Sequence, residues 1–273
     1  MKIDVLLSCM GQADAGLVDR IGISGSCVVV NQCDQENERT IGGRIRWVNS
    51  FERGLSRSRN RAIAASRAEV CLLCDDDEVL AADYPARIFR AYASCPNADV
   101  IIFKVAGWDA PQGDRVMRLR FPRTMHVGSW QISFRRCSLL AAGIRFDEKL
   151  GAGTGNGAEE ELKFLLDCQR SGLRIYYVPV EIARVHHGPS TWFHGFTPRF
   201  FYNRGATTRY ILGLLPAAVY GVYYAVKKRP MYCEEIAFRQ ALRETFRGIL
   251  RNPISRQKGT ENNENTVADC SGL

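Results

Sequence analysis

Short, continuous apolar runs separated by helical patterns set the plan of the first two-thirds of the chain. Ile3 to Ser8, Cys27 to Gln32, Arg44 to Val48 and Glu69 to Cys74 are each too short for a helix and rich in Val, Ile, Leu and Cys. Runs of this kind predict strands buried on both faces of a parallel sheet. Gly11 to Arg20 predicts a helix between the first two, and Gly54 to Ala65 another before the fourth, with Ser56 as its N-cap. The resulting β-α-β-β-α-β succession is that of a Rossmann-like, mostly parallel sheet with right-handed crossovers.

Beyond it, Ala82 to Ser94 predicts a helix and Asp99 to Val105 a strand. Arg115 to Phe121 and Trp130 to Phe134 alternate, and are expected as antiparallel strands at the sheet's edge. Phe146 to Gly157 is glycine-rich, a loop that a ligand can order. Glu159-Glu160-Glu161 opens a helix to about Gln169 with Gly172 as its stop, and Arg174 to Val180 predicts a last strand.

The C-terminal third has a different pattern. Tyr210 to Val226 carries no charge, but as a helix it reaches only roughly 25 Å and is interrupted by Gly213, Pro216 and Gly221. Glu234 to Arg251 predicts a helix with two stripes, Phe238, Leu242, Phe246, Leu250 and Arg239, Arg243, Arg247, Arg251. From Asn252 the tail is polar and expected to be disordered. The domains expected are therefore 1–195, a helical basic extension over 196–251, and a tail over 252–273.

Charge sharpens this division. Of the net +8, residues 1–195 hold only +2, residues 196–258 hold +9, and the last fifteen hold −3. The positive charge thus belongs to one attached surface. A nucleic-acid partner would need interleaved aromatics or a recognisable module beside it, and neither is there. An anionic membrane surface suits a basic amphipathic helix beside an apolar hairpin; a helix packed on the catalytic domain with solvated arginines is the alternative. The N-terminus passes straight into a strand pattern without a basic region and an apolar stretch, so a cytoplasmic location is expected, peripheral to the inner membrane. The ten cysteines are scattered in apolar surroundings and read as reduced, buried thiols. Cys71 and Cys74, three apart on a strand, face opposite sides and are not a redox or zinc pair.

The chemistry concentrates where five apolar residues, Val70 to Cys74, run into four carboxylates, Asp75-Asp76-Asp77-Glu78. Ligand crevices of open α/β sheets lie at the carboxyl ends of strands, and crowded hard oxygens suit Mg²⁺ or Mn²⁺ with substrate phosphates. A solvated acidic loop has the same composition; the buried strand before it favours the metal–phosphate site. Glu159 to Glu161 and His186-His187 are the other two clusters.

Together these resemble family 2 glycosyltransferases, the inverting GT-A enzymes that use nucleotide-sugars, nearest to bacterial capsular and exopolysaccharide types. Gly54-Leu55-Ser56, Arg59, Asn60 and Ala62 before Asp75-Asp76-Asp77 look like that family's Gly-Leu-Ser-x-x-Arg-Asn helix and D-x-D motif. Glu160-Glu161 look like its later Glu-Asp pair, with Glu for Asp, and His186 like the histidine that follows. The resemblance covers about residues 1 to 195 and implies the following expectations. Ser8, Asn31, Gln32, Arg59, Asn60, Asp75 and Asp76 bind the nucleotide, Gln32 standing where the family usually has Asp. Asp77, Asp76 and His186 hold Mn²⁺ or Mg²⁺. Trp130, Glu159, His187 and Trp192 meet the sugar or acceptor. Glu161, or alternatively Glu160, is the base that takes the proton of the acceptor hydroxyl. The expected donor is a UDP-sugar and the acceptor a saccharide, lipid-linked at the inner face of the membrane. Open alternatives are a nucleotidyltransferase, whose Gly-rich basic loop after the first strand is missing at Ser8 to Gln12, and a non-catalytic sugar-binding relative.

Overall fold

The computed structural model describes residues 1–108, 112–156, 159–185, 195–252 and 254. Two compact units divide the chain, one from Met1–Asp147 and Glu160–Gly188, the other from Glu148–Glu159 and the C-terminal helices.

In the first unit the strands are β1 (Ile3–Met10), β2 (Ser26–Gln32), β3 (Asn37–Ile41), β4 (Ile45–Ser50), β5 (Val70–Cys74), β6 (Glu78–Leu80), β7 (Val100–Ala106), β8 (Met117–Leu119), β9 (Ile132–Arg135) and β10 (Ile175–Val185). They form one sheet in the order β3-β4-β2-β1-β5-β9-β7-β10-β6, with β8 on the start of β10. The β4-β2-β1-β5 block is parallel throughout. Its side chains alternate between two cores, with Val5, Leu7, Val29, Leu72 and Cys74 on one face and Leu6, Val28, Val30, Cys71 and Leu73 on the other. The opposite placement of Cys71 and Cys74 follows from the two-residue period. Both thiols are pushed up by burial, as are Cys9, Cys27 and Cys168.

The helices of this unit are α1 (Gly16–Ile21), α2 (Leu55–Ala65), α3 (Tyr84–Ser94), α4 (Arg136–Ala141) and α5 (Glu160–Arg170). Several boundaries differ from expectation. The first crossover is helical only over α1. Helix α2 starts one residue before Ser56, which is wholly buried within it; Gly54 occupies the N-cap at φ 124° and gives its N–H to Gln32 Oε1 at 2.8 Å. A β-branched or other L-side chain is strained at that φ, which is why the position is glycine.

Strand β9 is antiparallel as expected, but lies inside the sheet between β5 and β7. Ile132, Ser133 and Phe134 are all fully buried, and Ser133 Oγ donates to the Ile101 carbonyl at 3.2 Å. A single serine satisfied by backbone mimics the alternation of an edge strand. Strand β10 runs past Val180 to Val185 because register shifts between Val178 and Ala183 absorb Pro179, which has no N–H for a ladder. The hairpin strand β3 was not expected at all: it is polar and exposed, and pairs only with β4.

The second unit holds α6 (Pro198–Leu212), α7 (Leu214–Lys227), α8 (Arg229–Tyr232) and α9 (Phe238–Arg251). The uncharged stretch breaks at Gly213, and Pro216 falls in the first turn of α7, where a missing N–H costs little. Among the described residues no helix is long and apolar enough to cross a membrane. Helices α6 and α9 approach through Gly205 and Gly248; a Cβ on either would stand 2.0 Å from the Thr245 or Tyr202 carbonyl oxygen. The inner face of α9 is therefore Ala241, Glu244, Thr245, Gly248 and Ile249, while Leu250 of the expected apolar stripe is exposed.

Candidate active site

The carboxyl ends of β1, β2 and β5 bring together most of the residues singled out above. Arg59 of α2, only 1% exposed, lies at the centre. Its Nη2 donates to both Asp75 oxygens at 3.2 Å, and its Nη1 to Glu160 Oε1 at 3.3 Å and Glu161 Oε1 at 3.1 Å. The guanidinium stacks over Phe146 at 5.3 Å, and Phe146 lies flat on Phe164 of α5 with ring centres 4.3 Å apart. One cation of α2 thus ties Asp75, 16 positions on at the end of β5, to Glu160 and Glu161, 101 and 102 positions on at the start of α5. Burial opposes its charge, but Asp75, Glu161 and Glu160 outweigh that and hold it protonated.

Asn60, expected together with Arg59 to hold the nucleotide, is bonded to the backbone of Phe146. Asn60 donates from Nδ2 to the Phe146 carbonyl at 2.9 Å and accepts the Phe146 N–H at 2.8 Å. Both residues build the wall. Asn31 and Gln32 likewise hold the framework. Asn31 brackets Gln12, accepting its N–H and donating to its carbonyl, and reaches Asn49 Oδ1 at 2.9 Å; Gln32 holds Gly54. Ser8 Oγ accepts from Ser58 Oγ at 2.8 Å.

The three aspartates separate by environment. Asp75 is half-buried and, besides Arg59, accepts Ser129 Oγ–H at 2.6 Å. Asp76 and Asp77 are exposed, and partial burial together with the Asp75 charge raises the Asp76 carboxyl. Glu78 turns inward, accepts the Asp75 N–H at 2.8 Å and leaves Oε2 buried without a partner; burial, then Asp75, pushes its carboxyl well up. Glu78 is therefore a support of the acidic turn.

Glu160 is buried, whereas Glu161 is 17% exposed at its side chain. Burial, then the Glu160 charge, pushes Glu161 up to about 8 against the pull of Arg59. Glu159 stands outside α5 with a left-handed φ of 76° and pairs with Arg204 of α6 at 2.7 Å within the second unit. Its carboxylate is engaged in that pair. Trp130 is half-buried, edge-on to Trp108 at 5.3 Å, with its indole N–H unpartnered. His186, His187 and Trp192 lie outside the described residues. Among the described residues no three His, Cys, Asp or Glu side chains form a metal-binding group. Ser129 and Phe146 went unforeseen, since nothing local marks a serine in a one-turn helix 54 residues from Asp75 as its partner.

Parallel strands carrying an acidic turn beyond β5, with an antiparallel strand inserted beside it, define a GT-A-like α/β fold. Solved structures of S. aureus TarS share it. A structure of residues 1–349 in complex with UDP superposes with a TM-score of 0.54 at 15% identity, covering 87% of this chain and 74% of that one. The complex of the same piece with UDP-GlcNAc gives 0.56 at 14%, covering 93% and 90%. Against a further TarS structure the TM-score is 0.55 at 16% identity, and this chain covers 44% of it. No family model and no curated protein matches the sequence.

Proposed function

We propose that the protein is a metal-dependent, inverting glycosyltransferase that takes a sugar from a UDP-sugar. The observation that carries this reading is the Arg59 hub, which ties Asp75, Glu160 and Glu161 together next to the exposed Asp76 and Asp77 at the carboxyl end of β5. The TarS complexes with UDP and UDP-GlcNAc, on a shared fold, support the choice of donor.

Asp76 and Asp77 suit a hard divalent cation, Mn²⁺ or Mg²⁺: both are exposed carboxylates, and Asp76 is raised by partial burial and then by the Asp75 charge, which a cation would offset. Bound there, a cation supplies charge neutralisation for the departing diphosphate. Asp75, held by Arg59 and Ser129, fixes the turn that presents them. Glu161 in its ionised form takes the proton of the acceptor hydroxyl as that oxygen bonds to the anomeric carbon. The bond from that carbon to the phosphate oxygen breaks on the opposite side, and UDP leaves with the electron pair. Direct displacement inverts the centre. Glu160 bonds the same Arg59 Nη1 but is the more buried of the two, with 6% side-chain exposure against 17%, which leaves Glu161 the better placed to meet an acceptor.

The acceptor in this reading is a saccharide carried on lipid at the inner face of a membrane, in surface-polysaccharide synthesis. Arg239, Arg243, Arg247 and Arg251, all exposed on α9, give electrostatic adsorption to anionic headgroups.

A nucleotide-sugar panel, with UDP-GlcNAc first, tests the reading by hydrolysis with Mn²⁺ and after EDTA. Turnover of one UDP-sugar that EDTA abolishes is expected. Nucleotide transfer without sugar release, or binding without turnover of any donor, overturns it.

A further inference from the structure

Helix α7 is built inside out. Its inward face is Ala217, Gly221 and Ala225, all buried, and a Cβ on Gly221 would come 2.9 Å from Thr245 Cγ2 of α9. Its outward face is Leu215 at 77% exposure, Val219 at 72%, Val222 at 41% and Val226 at 57%. A helix of a water-soluble bundle buries its large apolar side chains and turns small or polar ones out. Small residues at the helix contact with large aliphatics facing away is the arrangement of helices whose solvent is lipid. At fourteen residues α7 measures about 21 Å, short of the roughly 30 Å of hydrocarbon.

The ends of the stripe name the occupant. Lys227, Lys228 and Arg229 follow Val226 directly. Tyr223 is half-exposed beside the stripe and accepts a hydrogen bond from Lys227 Nζ at 2.6 Å. An aliphatic stripe, an amphipathic tyrosine and a basic cluster in succession match acyl chains, the interface and anionic headgroups in order.

We propose that the Leu215–Val226 stripe of α7 is a lipid-contact surface that lies in the plane of an anionic membrane, buried to the headgroup–acyl boundary. The proposal rests on the membrane part of the reading above and is independent of the transfer chemistry. It adds a hydrophobic anchor, whose signature is resistance to salt, to the electrostatic adsorption by α9.

The test is sedimentation of the full chain with phosphatidylcholine–phosphatidylglycerol vesicles, at low salt and at about 1 M NaCl, where charge attraction is screened within about 3 Å. The variant Leu215→Ser, Val219→Ser, Val222→Ser, Val226→Ser changes only exposed positions. The pair Leu215→Ser, Val219→Ser is the fallback should the fourfold variant misfold. Wild type is expected to keep a salt-resistant bound fraction, and the fourfold variant to lose it by about 100-fold in partition. Replacing the four α9 arginines with Gln should weaken the salt-sensitive fraction and leave the salt-resistant one, so a failure there touches the adsorption reading alone. The proposal is overturned if wild type has no salt-resistant fraction, or if the serine variant keeps it. It is equally overturned if light scattering finds a vesicle-free dimer that the serine changes convert to monomer. UDP-sugar hydrolysis, measured on the same variants without vesicles, reports on the transfer chemistry separately.

Discussion

Replacing Arg59 with Met removes one cation from among three carboxylates while keeping most of the side-chain volume. The guanidinium reaches Asp75 at 3.2 Å, Glu160 at 3.3 Å and Glu161 at 3.1 Å, and at 1% exposure water has no room to take over those contacts. Removing one partner of a buried ion pair costs about 3–5 kcal/mol. The cost does not triple here, because carboxylates left without a cation take up protons instead of staying charged. At about 2–4 °C per kcal/mol for a chain of this size, the melting temperature should fall by about 6–20 °C. The deficit should shrink in acid, where protonation does the work the cation did. In the native protein the sign is set by Glu161, whose folded carboxyl is pushed up to about 8 from its ordinary 4.5. A proton held more tightly in the folded state stabilises it, so that contribution is complete below about 4.5 and lost as pH climbs through about 8. Thermal unfolding of both proteins from about pH 5 to pH 9 reads all of this. A drop under about 2 °C at neutral pH, or a deficit that grows in acid, would refute the hub.

Three further outcomes are expected. Glu161→Gln should keep UDP affinity and lower transfer by about 10²–10⁴-fold, while the native rate rises with pH through about 8 because only the ionised form accepts the proton; a flat profile, or lost affinity with turnover kept, makes Glu161 a binding residue. Asp77→Ala should weaken Mn²⁺-dependent donor binding, measured by calorimetry with and without the ion, and metal-independent affinity equal to the native value would remove the cation from the reading. Gly205→Ala and Gly248→Ala should each cost at least the usual overpacking range of about 1–3 kcal/mol in urea unfolding, since the new methyl meets a backbone carbonyl that cannot swing aside; neutral substitutions would mean that α6 and α9 separate freely.

What could be read in advance were the features with a local cause. Buried parallel strands need continuous apolar runs, so β1, β2, β4 and β5 were visible as such, and Gly172 stopped α5 as a left-handed glycine does. The acidic turn after β5 was legible because a strand ends where its apolar run ends. Strand β9 was misplaced for a reason of the same kind. Ser133 looks like an outward position until its hydroxyl is paired with Ile101, a partner 32 residues away.

The parallel sheet, and the residue types that meet at the carboxyl ends of β1, β2 and β5, could be read along the chain. Only the tertiary structure decided their roles. Arg59 belongs inside, binding three carboxylates from two distant segments; Asp75 and Glu78 hold the turn, and Asp76 and Asp77 face out. It also decided that α7 turns its small residues inward, a choice made by how closely α9 can approach and invisible in a run that is apolar all round. The physical reason is common to both. Period and propensity act between neighbours along the chain, whereas the charge a side chain meets and the face a helix buries are set by partners that only folding brings within reach.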